Sequence, residues 1–130
     1  MIGTVLTKRI FEAVSTDDGT RILVTRFRPR SVKSTFWQEW IHELAPSKSL
    51  LNDWKNKDVN MDWVEYADKY LMEMAASSRL EIIGKLVDRI IAMETITLLC
   101  FCPDEHCHRY LLKNIIDEAV KIKLENSNNE

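Results

Sequence analysis

Two short apolar runs constrain this chain more than any other feature: Arg21-Ile22-Leu23-Val24-Thr25-Arg26-Phe27 and Thr95-Ile96-Thr97-Leu98-Leu99-Cys100-Phe101-Cys102. Both place apolar and β-branched residues in succession, the pattern of a strand buried on both faces. Sheets of that kind are parallel and covered by other elements. More than sixty residues of helical character separate the runs. That is enough for a crossover, so the two strands can lie side by side and end at the same edge.

The remaining elements follow from punctuation and period. Thr4 to Ile10 reads as a further strand, and Asp17-Asp18-Gly19 as a turn before the next one. Pro29 stops that strand, since the residue before a proline is held extended. Thr35 and Gln38 have capping-box spacing, and Phe36, Trp37, Trp40, Ile41 and Leu44 form a stripe that predicts a helix ending at Pro46. Ser47 caps a short second helix with Leu50, Leu51 and Trp54. A third starts near Met61 and carries Trp63, Ala67, Tyr70, Leu71 and Met74 on one face. Ser78 with Glu81 predicts the start of a fourth, which buries Ile82, Ile83, Leu86, Ile90 and Ile91. After Pro103-Asp104-Glu105 the repeat of Leu111, Leu112, Ile115, Ile116, Ala119 and Val120 marks a last helix. The tryptophans on these stripes read as core. With only three glycines and three prolines, and no linker or repeat, the expectation is a three-layer α/β fold. A small, mostly parallel sheet of about three or four strands is flanked by helices. One domain spans 1–125, and 126–130 form a polar tail.

Composition excludes several classes. Eighteen basic against twenty acidic residues give a net charge of −2, which is not the uniform positive field of a DNA-coating protein. No run of about 18 apolar residues is present, so no membrane span is expected. Lys8 and Arg9 interrupt the start before a signal-peptide core forms. Three cysteines without framework spacing predict a reduced, cytoplasmic protein.

All three cysteines nevertheless fall within residues 100–107, beside His106 and His108. In an open parallel sheet, ligands bind beyond the carboxyl ends of the strands. One run ends in Arg26-Phe27-Arg28-Pro29-Arg30, the other in Cys100 through Arg109. Residues 20–33 hold five basic side chains and no acid. The turn beside them feeds a helix N-terminus, which favours an anion. Four residues before Leu111 and Leu112 stand Cys107 and His108, so both continue the buried stripe. With Asp104 as N-cap, Cys107 falls in the first turn, where a lowered thiol pKa is expected. His108 would then move a proton, and Arg109 or Arg30 would hold an anionic group.

Plainer roles fit the same residues. Cys100 and Cys107 suit small core positions, His108 a satisfied core histidine, and the arginines partners for the many carboxylates. Asp17 and Asp18 read as turn formers, and His42 as a surface residue. Cys100, Cys102, Cys107 and His108 are metal-type ligands, but C-x-C followed by adjacent Cys-His departs from the usual zinc spacing, and no metal is expected. The loop after Cys102 lacks glycine, and Cys102 and Arg109 bracket one residue too many for a tyrosine-phosphatase loop.

The run from Asp18 to Arg30 resembles the "DG-x-R-(IV)-L-V-D-R-x-W-P-R-G" signature of the domain-of-unknown-function 488 family, especially its YeaO-like branch. Leu44-Ala45-Pro46-Ser47 is similar to that branch's "L-A-P-S", and Tyr70 with Glu73 to its "Y-x-x-E-L". Thr97-Leu98-Leu99-Cys100 with Cys107-His108-Arg109 resembles the family's "LLC…CHR" ending. Thr25, Arg28 and Ser31 stand where the pattern has Asp, Trp and Gly, and Cys102 is not a usual family position. The resemblance implies a small α/β protein without an assigned substrate. It singles out Arg26, Arg30, Cys100, Cys107, His108 and Arg109.

The functional expectation is an anion-binding crevice for a phosphate-bearing small molecule or nucleotide. Arg26, Arg28, Arg30 and Arg109 supply charge, and Cys107 with His108 any catalytic chemistry. The sequence leaves open whether this is an enzyme, specifies no cofactor and gives no oligomeric state. Its alternative is a non-catalytic module for nucleic acid or a protein partner, with Trp37, Trp40, Trp54 and Trp63 stacking bases. A further option is redox pairing of Cys102 with Cys107.

Overall fold

The structure is a computed structural model that describes residues 2–102 and 106–128. Among these, four strands form one sheet: β1 (Val5–Arg9), β2 (Thr20–Leu23), β3 (Glu39–Trp40) and β4 (Ile96–Cys100). Their order is β1-β4-β2-β3, and every pairing is parallel. The helices are α1 (Lys48–Lys55), α2 (Trp63–Met74), α3 (Ser77–Ile91) and α4 (His108–Asn128).

β4 runs through the middle of the sheet with all five residues buried. Ile96 pairs with Val5 on one side and Thr20 on the other, and Leu99 with Lys8 and Leu23. Arg9, Leu23 and Cys100 therefore leave the sheet at one edge, as expected of parallel strands. Side chains alternate between the faces. Val5, Ile22, Val24, Ile96 and Leu98 pack against Leu50 of α1, Tyr70 and Met74 of α2, Leu86 of α3 and Leu112 of α4. The opposite face is thinner: Ile10, Leu23 and Leu99 lie beneath Val32, Phe36 and Trp37. The three layers are thus helices, sheet and a narrow cover made by the chain around residue 36.

That cover replaces the helix expected between Thr35 and Pro46. The segment forms two single 3-10 turns, Ser34–Phe36 and His42–Leu44, with β3 between them. β2 would otherwise present unpaired backbone groups at the sheet edge. Gln38 N–H donates to the Arg21 carbonyl at 2.9 Å, and Ile41 N–H to that of Leu23 at 2.9 Å. The Gln38 side chain accepts from Arg21 N–H at 2.6 Å, so it serves the sheet and not a helix cap. Pairing the edge outweighs a helical stripe whose members serve different surfaces. Phe36 and Trp37 cover one face, Ile41 joins the other, and Trp40 is 38% exposed. Of the other tryptophans expected in the core, Trp37, Trp54 and Trp63 are half-buried and pack against it from outside. α3 begins one residue earlier than expected, with Ala76 as N-cap and no side-chain cap, so the Ser78–Glu81 box does not form. α4 continues to Asn128, into the stretch expected as a polar tail.

An ion pair lies under the thin cover. Arg21 is fully buried, and its guanidinium donates to Asp18 Oδ2 at 2.6 Å, to the Phe36 carbonyl at 2.7 Å and to the Glu12 carbonyl at 3.2 Å. Lys8 meets the other Asp18 oxygen at 2.8 Å. Asp18 also completes a reciprocal cap with Ser15, and its carbonyl accepts from Thr97 Oγ1 at 2.7 Å. Gly19 turns the chain from this cap into β2 with φ 62°, and a Cβ there would stand 2.1 Å from the Thr95 carbonyl oxygen. The Asp-Gly pair is therefore more than a turn former: it anchors one face of the sheet.

Burial alone would raise the Asp18 pKa. Hydrogen bonds from Lys8, the Ser15 N–H and Arg21 outweigh it and hold the carboxyl at about 2, below the usual 3.8. As pH falls below the usual value the unfolded chain takes up a proton that folded Asp18 refuses. The pair's contribution, about 2 kcal/mol, is therefore complete above 3.8 and lost as pH falls through about 2. Asp18→Asn should cost about 3 kcal/mol at neutral pH and flatten this acid limb. Urea midpoints measured across the acid range test both, and an unchanged limb in the variant would assign it elsewhere.

Candidate functional site

A hydrogen-bonded clasp builds the edge where β2 and β4 end. Three consecutive carbonyls, Leu44, Ala45 and Pro46, each accept from a side chain of another element. Tyr70 of α2 donates to Leu44 at 2.7 Å, and Arg26 donates to Ala45 at 3.2 Å and Pro46 at 3.0 Å. Ser47 follows, with its N–H and hydroxyl donating to the two carboxylate oxygens of Glu73 at 2.8 and 2.5 Å. The same hydroxyl accepts from Leu50 N–H at 3.1 Å and caps α1. Arg26 thus finds its partners in backbone carbonyls, although Thr25 occupies the position of the acid in the family pattern. Thr25 is buried and turns its own hydroxyl to the Phe27 carbonyl at 2.7 Å.

The clasp sets α1 against α2 across a crevice of about 310 Å³. Phe27, Trp54, Tyr66 and Phe101 wall it, Arg26 and Lys55 bring positive charge, and Cys100, Cys102 and His108 lie on its inner side. Trp54 stacks on Tyr66 with centroids 4.6 Å apart, and Trp63 stacks on Tyr66 from another side at 5.5 Å. Tyr66, Lys55 and the two phenylalanines were not singled out in the sequence. The available signal was Tyr66 standing one helical turn before Tyr70, on the face that carries the clasp.

His108 organises the thiols. It is 4% exposed, with Nε2 2.7 Å from the Val24 carbonyl oxygen. A carbonyl only accepts, so Nε2 carries the hydrogen and Nδ1 keeps its lone pair. Nδ1 faces Cys100 Sγ at 3.8 Å and Cys107 Sγ at 3.9 Å. Burial lowers the imidazole pKa and keeps the ring neutral. Cys100 and Cys102 sulfurs are 3.8 Å apart. Hydrogen bonds from Cys102 and Cys107 hold the Cys100 thiol well below its ordinary pKa. Those Cys107 makes to Cys100 and Cys102, with its burial, push Cys107 up. The expectation of an acidified Cys107 therefore fails: within this trio the lowered thiol is Cys100 and the raised one Cys107. α4 opens at His108, so Cys107 precedes the first turn. The expected N-cap, Asp104, lies outside the described residues. Both Cys107 and His108 are buried, as their phase required.

The arginines divide. Arg26 joins the crevice. Arg28 and Arg30 are exposed and line a separate hollow of about 550 Å³ with Val32, Lys33 and Ser34, which shares only Phe27 with the crevice. Arg109 is 3% exposed and turned inward. It donates to the Cys102 carbonyl at 2.8 Å and to the Tyr110 hydroxyl at 3.1 Å, with its guanidinium 4.6 Å over the Tyr110 ring. The larger hollow has cations with apolar residues and one ring but no thiol or imidazole, whereas the smaller one joins cations, several aromatic rings, thiols and an imidazole. His42 is exposed as expected. Cys100, Cys107 and His108 bring their donor atoms within 4.8 Å of one another, so the spacing objection to a metal does not hold in three dimensions.

These features define an all-parallel α/β protein with a thiol–imidazole crevice at the carboxyl edge of its central strands. A family model described as "DUF488-N3a: Active DUF488-N3 subclade" matches residues 5–120, and the chain belongs to the DUF488 family. It is 34% identical to Uncharacterized protein YeaO of Escherichia coli K12 across 71% of this chain and 77% of that protein. Identity is 31% to Uncharacterized protein Mb3100c of Mycobacterium bovis and to Uncharacterized protein Rv3073c of Mycobacterium tuberculosis H37Rv, across 64% of this chain and 70% of each relative. No solved structure gives a significant match. No helix among the described residues is long and apolar enough to cross a membrane.

Alkylation under native conditions, with chelator and reductant present, should reach half-buried Cys102 first. Cys107, 1% exposed, should be modified only on unfolding. Peptide mass spectrometry resolves the three sites, and native labelling of Cys107 at the rate of Cys102 would contradict this geometry.

Proposed function

We propose that the crevice at the ends of β2 and β4 binds a phosphate-bearing small molecule of the nucleotide class, and that the thiols and His108 on its inner side supply thiol-dependent chemistry. The observation that carries this reading is the convergence of aromatic walls, positive charge and reactive side chains in one space of about 310 Å³. Pockets of that size, largely apolar with a few directed polar groups, are the usual form of small-molecule sites. Half-buried Trp54, backed by Tyr66, offers an aromatic surface to a base, and Lys55 and Arg26 attract phosphate. Arg28 and Arg30, in the adjoining hollow, extend the positive surface for a longer anion. Arg109 acts at a distance from the ligand by holding the Cys102 carbonyl, and so the loop that leaves β4. The word "Active" in the subclade's description accords with a reactive site, and three free thiols suit the reducing cytoplasm.

Titration with nucleoside mono- and diphosphates should quench the fluorescence of Trp54 saturably. Lys55→Ala removes an exposed cation with little risk to the fold and should weaken binding about tenfold, the worth of one charge-assisted contact. Arg30→Ala should weaken the diphosphate more than the monophosphate. Absence of saturable quenching, or quenching indifferent to Lys55→Ala, would overturn the reading. Preference for an oligonucleotide over a mononucleotide would support the nucleic-acid alternative.

A further inference from the structure

The sulfur and nitrogen donors behind the crevice have a spacing that thiol reactivity alone does not require. In a tetrahedral zinc site with metal–sulfur bonds of about 2.3 Å and metal–nitrogen bonds of about 2.0 Å, neighbouring sulfurs stand about 3.8 Å apart and a sulfur and a nitrogen about 3.6 Å. The Cys100–Cys102 sulfurs are 3.8 Å apart, Cys100 Sγ and His108 Nδ1 3.8 Å, and Cys107 Sγ and His108 Nδ1 3.9 Å. We infer that this chain holds one zinc-class divalent ion through the sulfurs of Cys100, Cys102 and Cys107 and the Nδ1 of His108. The inference specifies what the thiol–imidazole cluster does and needs no ligand in the crevice above it.

Three features support it beyond the distances. His108 presents an unprotonated Nδ1 because its Nε2–H is given to the Val24 carbonyl at 2.7 Å. A backbone acceptor behind a ligating imidazole is the usual device for fixing its tautomer and direction. Secondly, the donors come from rigid elements. Cys100 ends a strand buried between two others, and His108 opens a helix of 21 residues. Cys107 stands just before that helix, where non-helical backbone lets its side chain converge with that of its neighbour. Thirdly, the charge is matched. Three thiolates and a neutral imidazole around a dication leave one net negative charge, and the buried Arg109 cation is held beside them on the Cys102 carbonyl at 2.8 Å.

Cys100, Cys107 and His108 form the buried trio. Cys102 is half-buried on the crevice side with its sulfur 3.8 Å from that of Cys100; it stands outside the mutual 4.8 Å of the trio and is the residue placed to supply the fourth ligand. Coordination releases the thiol protons to solvent as the metal–sulfur bonds form. A fourth ligand at the mouth is the one a bound substrate would meet, so Cys102 sets whether the ion is closed or open to chemistry.

The test is metal uptake by the full chain. Protein stripped with chelator and reductant is titrated with zinc against a chromogenic chelator, and separately with cobalt. One ion per chain is expected. The cobalt adduct should show the intense visible bands of a tetrahedral centre and sulfur-to-cobalt charge transfer of three thiolates. Cys102→Ser, at a half-buried position that spares the core, should retain uptake with charge-transfer intensity reduced to that of two thiolates. Cys100→Ser should lose tight uptake, with circular dichroism confirming the fold. No stoichiometric uptake, a weak octahedral cobalt spectrum, or intensity unmoved by Cys102→Ser overturns the inference. Nucleotide quenching in stripped protein that takes up no metal would leave the crevice reading standing and remove the metal. Uptake without quenching would do the reverse.

Discussion

The carbonyls of Leu44, Ala45 and Pro46 hold the functional edge together. They leave the sheet region in an irregular stretch, where no strand or helix partner satisfies them, and each is taken by a side chain from elsewhere. Tyr70 ties the stretch to α2, Arg26 to the end of β2, and Glu73 fastens the next residue, Ser47, as the cap of α1. An unsatisfied buried carbonyl costs about 1–3 kcal/mol, so the three bonds act as conditions on the fold. Without them α1 has no fixed position against α2, and the Trp54–Tyr66 wall has no partner surface opposite the thiols. The residues that resemble family motifs, Leu44 to Ser47 with Tyr70 and Glu73, are the two halves of this clasp.

Much of the frame was legible in the sequence for a definite reason. Ile22 to Val24 and Ile96 to Cys100 are apolar in succession, and only burial on both faces accounts for that. Parallel pairing and the shared edge followed. The phase of α4 placed Cys107 and His108 inside, where they are. What failed was the segment from Thr35 to Leu44, because its apolar residues have helical spacing but divide between two faces of the sheet. A period records spacing and not destination. The edge of β2 needed backbone partners, and a requirement of that kind lies in another part of the chain.

The site was legible in position and not in assignment. Residue types placed cysteine, histidine and arginine together at the carboxyl edge of the strands, where the structure brings Cys100, His108 and Arg26 to one crevice, but their partners differ from those expected. Arg109 looked like an anion ligand and proved to serve a carbonyl and a tyrosine. Cys107 looked activated by a helix start, yet its hydrogen bonds with the neighbouring sulfurs raise its pKa and lower that of Cys100. Adjacent Cys107 and His108 looked awkward for a common centre until the helix began between them. Tyr66 escaped notice because an aromatic residue on an amphipathic helix is ordinarily core.

The Arg21–Asp18 pair also bears on how this protein can be studied. Its charges lie in contact at 2.6 Å with almost no access to solvent, so dissolved ions cannot enter between them. Screening weakens interactions that pass through water, such as the exposed Lys69–Glu65 and Lys113–Asp117 pairs on the helices. Ionic strength can therefore be raised until exposed charges are screened from a dissolved anion while this anchor of the sheet stays intact. Salt then becomes a reagent that separates electrostatic recruitment at the crevice from integrity of the fold beneath it.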